Sequence, residues 1–149
     1  MSKHCAHYSR EEIEELRGPA GTALISIRDP GSERPRLRAD EWTHLLELQF
    51  HDITRAAPED GTIWDSWSSQ GYVMPGADHA VEIARFVRKH WDRSILVHCE
   101  MGLSRSAAVC EVLVGLGWEY VATRSEGRRL ANQRLVDLLR QELGVESNT

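Results

Sequence analysis

The sequence lacks any run of about 18 apolar residues, so no membrane-spanning helix is expected. Its opening residues, MSKHCAHYSREEIEEL, hold no apolar core of the kind a secretory leader needs, and a cytoplasmic location is expected. Cysteine is scarce. The three present, Cys5, Cys99 and Cys110, are odd in number and not spaced as a disulfide framework, which fits a reducing compartment. Basic charge is not in excess. The formal net charge of −5 makes a nucleic-acid backbone no obvious partner, while leaving room for a local basic pocket that takes an anion. There is no internal repeat, low-complexity tract or interdomain linker. The 149 residues are therefore expected to form one domain, 1–149, with flexible ends at 1–8 and 146–149. What is present is the composition of an ordinary globular chain: 41% hydrophobic and 28% charged residues, enough for a core without staples.

Ser9 to Glu12 reads as a capping box opening a short helix to about Arg17, which Gly18-Pro19 stops. The run TALISI, Thr22 to Ile27, predicts a buried strand. Arg28 to Arg38 is rich in proline, glycine and charge and reads as a loop; its arginines 28, 34, 36 and 38 are read as solvated, or as lining a rim beside the site. HLLELQF, His44 to Phe50, predicts a second strand with Leu46, Leu48 and Phe50 on one face. A long segment from Asp52 to Met74 follows, irregular but carrying Trp64, Trp67 and Tyr72; these aromatics are read as tucking the loop onto the core, or as a wall for substrate.

Pro75 to Trp91 predicts a helix whose stripe is Ala80, Ile83, Ala84, Val87 and Trp91. Ser94 to His98 is continuous and apolar, as a central parallel strand should be. The helix after Arg105 is apolar nearly all round, which predicts burial on most sides and makes Cys110 a core residue. Glu119 to Leu130 reads as mostly helical, and Asn132 as the cap of a last helix that faces Leu135, Leu138, Leu139 and Leu143 inward. Strands alternating with helices predict an α/β fold: a central, largely parallel sheet of about four strands, flanked by helices.

Between a strand and a helix stands His98-Cys99-Glu100-Met101-Gly102-Leu103-Ser104-Arg105-Ser106. In open α/β sheets, ligands sit outside the carboxyl ends of the strands, and Cys99 is the first residue there. Gly102 permits a tight turn that exposes amides. Arg105 opens a helix whose first N–H groups lack partners within the helix, and a loop of inward amides at such an end cradles an anion. The arginine adds a bidentate fork suited to phosphate. Helix N-termini and cationic neighbours favour a thiolate, so Cys99 is expected to be an activated nucleophile facing a phosphoryl group. The expected reaction is attack on phosphorus, a phosphocysteine intermediate, and its hydrolysis by water. Ser106 is placed to hydrogen-bond the departing sulfur. His98 is placed to orient the loop, through its backbone or its ring.

HCEMGLSRS resembles the HCxxGxxRS signature loop of the cysteine-dependent protein tyrosine and dual-specificity phosphatases. The resemblance implies Cys99 as nucleophile and Arg105 as phosphate clamp. It implies that Glu100, Met101, Gly102, Leu103 and Ser104 line the loop with their amides, and that Ser106 assists the leaving sulfur. Ala131-Asn132-Gln133-Arg134-Leu135 looks like the Pro-Asn-x-x-apolar segment of small members, with alanine for proline. The order of elements from Thr22 to Leu143 also fits, and SREEIEEL, ISIRDPG and LQFHDI look more like compact bacterial members than receptor-type domains. The family uses an upstream aspartate as general acid. Asp52, at the end of HLLELQF, is favoured; Asp65, nearer the usual spacing, and Asp60 are the alternatives.

The implied partner is a phosphorylated protein or peptide, with no cofactor, metal, nucleic acid or membrane. Phosphotyrosine and phosphoserine stay open, as does the oligomeric state. Acidic Glu100 and the absence of lysine in the loop argue against inositide substrates. Rhodanese-like or arsenate-reductase-like chemistry is the enzymatic alternative, and Cys110 is a poor resolving thiol for it. A phosphate-reading binding module is the non-enzymatic one. His4, Cys5 and His7 are metal-ligand types, but on an expected free end they are not read as a site.

Overall fold

In the computed structural model, residues 3–37, 42–53, 73–123 and 131–145 are described. His4–Tyr8 forms a strand, β1, and it lies inside the sheet rather than at a free end. This corrects the expectation of a flexible end for residues 4–8. A strand with parallel neighbours on both sides is covered on both faces, so Cys5, Ala6 and His7 are all buried. Two histidines and a tyrosine hide that signal in the sequence, because the strand carries too few apolar residues to read as one.

The other elements follow in chain order. Helix α1 is Arg10–Glu15, and both arms of its capping box form: Glu12 N–H donates to Ser9 Oγ at 3.1 Å, and Ser9 N–H to Glu12 Oε1 at 3.0 Å. Strands β2, Ala23–Arg28, and β3, His44–Gln49, sit where the sequence puts them. Helix α2 is Ala77–Lys89 and buries Ala80, Ile83, Ala84 and Val87. Trp91 lies beyond its end and is exposed, against expectation, with its ring edge-on to Trp118. Strand β4 is Ile95–His98, helix α3 is Arg105–Gly115, and Glu119–Tyr120 forms a fifth strand, β5. The expected helix from Glu119 to Leu130 therefore starts as a strand; residues 124–130, like 54–72 with Trp64, Trp67 and Tyr72, lie outside the described residues. Helix α4, Gln133–Leu143, is capped by Asn132, whose Oδ1 accepts Leu135 N–H at 3.0 Å, and it ends at Gly144 with φ +69°.

The fold is α/β. Among the described residues five strands, against the four or so expected, run parallel in the order β3-β2-β4-β1-β5. Side chains alternate between two apolar layers. On one face Ala23, Ile25, Ile27, Leu48, Ile95 and Val97 pack with residues of α2, α3 and α4. On the other, Ala6, Leu24 and Leu96 pack with Ile13 of α1 and with Trp42. Cys110 is fully buried in the first layer. Among the described residues no helix is long and apolar enough to cross a membrane. Because the strands are parallel, the segments after β1, β2, β3 and β4 all leave from one edge of the sheet. That shared edge positions the site.

Candidate active site

Cys99 continues the ladder beyond β4, donating its N–H to Tyr8 O at 3.2 Å. Its sulfur is buried and has two neighbours: Gly102 N–H donates to it at 3.2 Å, and Ser106 Oγ lies 3.2 Å away. Gly102 has φ +74°, a left-handed conformation that a side chain would disfavour, and this turn is what brings its amide back onto the sulfur. Ser106 is fixed by its place in the first turn of α3.

The loop between Cys99 and α3 is gripped from outside by three elements. Arg10 N–H, opening α1, donates to Glu100 O at 3.0 Å. His7 Nδ1, on β1, lies 2.6 Å from Gly102 O. Asn132 N–H, capping α4, donates to Ser104 O at 3.0 Å. The Glu100 carboxylate is turned onto the Arg10 guanidinium at 3.3 Å, and the Met101 side chain stands out into solvent.

Arg105 is buried, and its guanidinium is held at one end. Nη1 donates to Asp29 Oδ1 at 2.7 Å and to Phe50 O at 2.8 Å, reaching the segments after β2 and β3. Nε is buried with no hydrogen-bond partner. Leaving such a donor unmet costs about 1–3 kcal/mol, and an oxyanion is the natural acceptor for it. Asp52 follows β3, where its Oδ1 accepts from Ser104 Oγ at 2.7 Å and Asn132 Nδ2 at 2.7 Å. Asn132 Nδ2 also donates to Ile53 O at 3.1 Å, so one buried residue ties the segment after β3, through its side chain, to the loop, through its backbone N–H. Asp60 and Asp65 lie outside the described residues.

The His98 ring has a polar neighbour at each nitrogen. Its Nε2 lies 2.6 Å from Ser26 Oγ on β2, and its Nδ1 faces Cys99 O at 3.4 Å. A carbonyl only accepts, so Nδ1 carries the proton and Nε2 accepts from the serine. Burial pushes the His98 pKa down to about 4, against the opposing pull of the Cys99 carbonyl, so the ring is neutral near pH 7.

The structure thus brings together Cys99, Gly102, Ser104, Arg105, Ser106 and Asp52, while Glu100 and Met101 turn their side chains away. The sequence reading missed His7 and Asp29, and took Asn132 for a cap and a motif residue. Asp29 had a signal, since it follows β2 at the carboxyl edge of the sheet. Two of the arginines read as solvated are engaged nearby: Arg28 donates to Ser32 O, and Arg34 pairs with Glu47. Arg38 lies outside the described residues.

No family model matches the chain, and no curated protein matches it. Among solved structures it is similar to one described as "Crystal structure of Tk-PTP in the active form", with 17% identity, a TM-score of 0.45, and coverage of 97% of this chain and 82% of that one.

Proposed function

We propose that this chain is a single-domain phosphatase. It hydrolyses phosphate monoesters on protein tyrosine, or on serine and threonine, through a phosphocysteine intermediate. The observation that carries the reading is the pairing of a buried sulfur, faced by Gly102 N–H and Ser106, with a buried arginine Nε that lacks an acceptor. Both lie at the N-terminal end of α3, where unpaired amides favour an anion.

The Cys99 sulfur, as thiolate, attacks phosphorus while the Arg105 Nε edge and the loop amides of Glu100 through Ser104 hold the phosphoryl oxygens. The bond from phosphorus to the ester oxygen breaks, and Asp52 gives that oxygen its proton. Both bonds to Asp52 fall on Oδ1, which leaves Oδ2 as the atom that carries the proton. In the second step water attacks phosphorus and returns a proton to Asp52. The sulfur–phosphorus bond breaks, and the Ser106 hydroxyl donates to the departing thiolate. No metal, cofactor or resolving thiol enters either step.

The test is hydrolysis of p-nitrophenyl phosphate in the presence of a chelator. Turnover inhibited by vanadate is expected, and Cys99→Ser should abolish it while still binding phosphate. Asp52→Asn should lower turnover of unactivated aryl phosphates by about 10²–10⁴-fold, with less effect on p-nitrophenyl phosphate, whose leaving oxygen needs little protonation. An active Cys99→Ser variant would show that the sulfur is not the nucleophile. A binding module would take up phosphate with no turnover at all.

A further inference from the structure

His7 is fully buried on β1, and no step above uses it. Its Nδ1 lies 2.6 Å from Gly102 O, and its Nε2 lies 2.8 Å from the Tyr120 hydroxyl on β5. Its own carbonyl accepts Thr123 Oγ1 at 2.6 Å. The polarity of this chain is settled by chemistry. Gly102 O can only accept, so His7 Nδ1 must carry a hydrogen, whether the ring is neutral or charged. The strand is locked in register beside β4, with His7 opposite Val97, so the imidazole approaches the loop from a fixed direction.

The peptide bond is planar and trans, so its C=O and N–H point in opposite directions. Pulling the Gly102 carbonyl outward therefore turns the Leu103 N–H inward. The other two grips do the same at alternate positions. Arg10 N–H holds Glu100 O and turns the Met101 N–H inward, while Ser104 O, held by Asn132 N–H and by Ala108 N–H of α3, turns the Arg105 N–H inward. Gly102 N–H already points to the sulfur. Of the three outside grips, those at Glu100 and Ser104 are backbone amides. The one at Gly102 is a side chain, and so the one that substitution can remove.

We propose that His7, oriented by Tyr120, is a positioning residue. It sets the Gly102–Leu103 peptide so that the Leu103 amide points at the bound phosphoryl group. This rests on the phosphatase reading above. Donation to the carbonyl also polarises that peptide and makes its N–H a stronger donor.

Two histidine surrogates separate this role from a merely structural one. Asparagine places its amide nitrogen near the position of Nδ1, whereas glutamine places it near Nε2. Phosphate binding would be measured by calorimetry and turnover with p-nitrophenyl phosphate, at matched folded fraction. His7→Asn should bind phosphate within about threefold of the wild type. His7→Gln should bind about tenfold more weakly and lose about 10–100-fold in kcat, somewhat less than removing an oxyanion donor outright. Tyr120→Phe, which leaves Nδ1 in place but loosens the ring, should fall between them. Equal losses in both His7 variants, or wild-type affinity in His7→Gln, would overturn the assignment. Should His7→Gln not fold, a tenfold loss in His7→Asn would overturn it and unaltered affinity with a weakened Tyr120→Phe would uphold it. A wild-type protein that binds no phosphate would instead overturn the reading of the site itself.

Discussion

Asp29 and Arg105 pose a question of sign. The carboxylate holds the guanidinium in place, yet under the proposed function its charge would compete with a phosphate dianion for the same group. Asp29 is 45% exposed and its charge is well screened, whereas Arg105 is 6% exposed and depends on the bond for its direction. Orientation should therefore win. Asp29→Ala is expected to raise KM for p-nitrophenyl phosphate about tenfold, while Asp29→Asn, which keeps an acceptor oxygen, should stay within about threefold. Tighter phosphate binding by the alanine variant would mean that the carboxylate is a competitor instead. His98 gives a prediction about stability. Its folded pKa of about 4 lies below the ordinary 6.5, so the unfolded chain binds more protons between those values. The contribution is complete above pH 6.5 and is lost as pH falls toward 4, by roughly 3 kcal/mol at most. Buried His90, whose pKa is also lowered, chiefly by burial, acts in the same direction. Denaturant midpoints across that window should fall in the wild type and fall less in His98→Gln; parallel curves would remove His98 as the cause. The approach of Ser106 to Cys99 was legible in the sequence because their spacing follows one turn of loop and helix. His7 and Asp29 were not, because their contacts join positions that are distant along the chain.

At the level of elements, legibility followed apolar pattern. Helices α2 and α4 carry clean stripes and β2 and β4 continuous runs, so each is found within a residue or two of its observed span. Strand β1 failed because its buried residues include a histidine whose polarity is satisfied only by loop and neighbouring strand. Strand β5 failed because Glu119–Tyr120 is too short to show any period. Asn132 shows one element doing two tasks. Its Oδ1 caps α4, and its Nδ2 anchors Asp52 and Ile53. Asn132→Ala should cost about 2–4 kcal/mol, the sum of a lost cap and a lost bond to a carboxylate. Asn132→Asp keeps the cap but sets a second carboxylate against Asp52. It should approach wild-type helix capping yet turn over substrate poorly. Thermal unfolding and kcat, measured on both variants, would test the split; wild-type activity in Asn132→Asp would show that the Asp52 contact is idle.

For the whole molecule, the decisive fact is where the first strand lies. The sheet order places β1 between β4, which carries the site, and β5. Residues 4–8 are therefore not an expendable tail, and truncation tests the point. Removing them deletes an interior strand, its backbone pairing with both neighbours and the His7 contact to the loop. The shortened chain should show no cooperative unfolding transition by circular dichroism. A folded, phosphate-binding product would place the strand at the margin of the structure.

The same placement bears on how the protein is made. His4–Tyr8 leaves the ribosome before the other described strands, yet must wait for partners at Ile95–His98 and Glu119–Tyr120, the last two strands to emerge. We predict that ribosome-arrested chains ending before β4 are cut readily by protease and that resistance appears only once β5 has emerged. Early resistance would point to a different order of assembly. Birth of this protein is then a nearly all-at-once event, its first segment waiting until the late strands arrive.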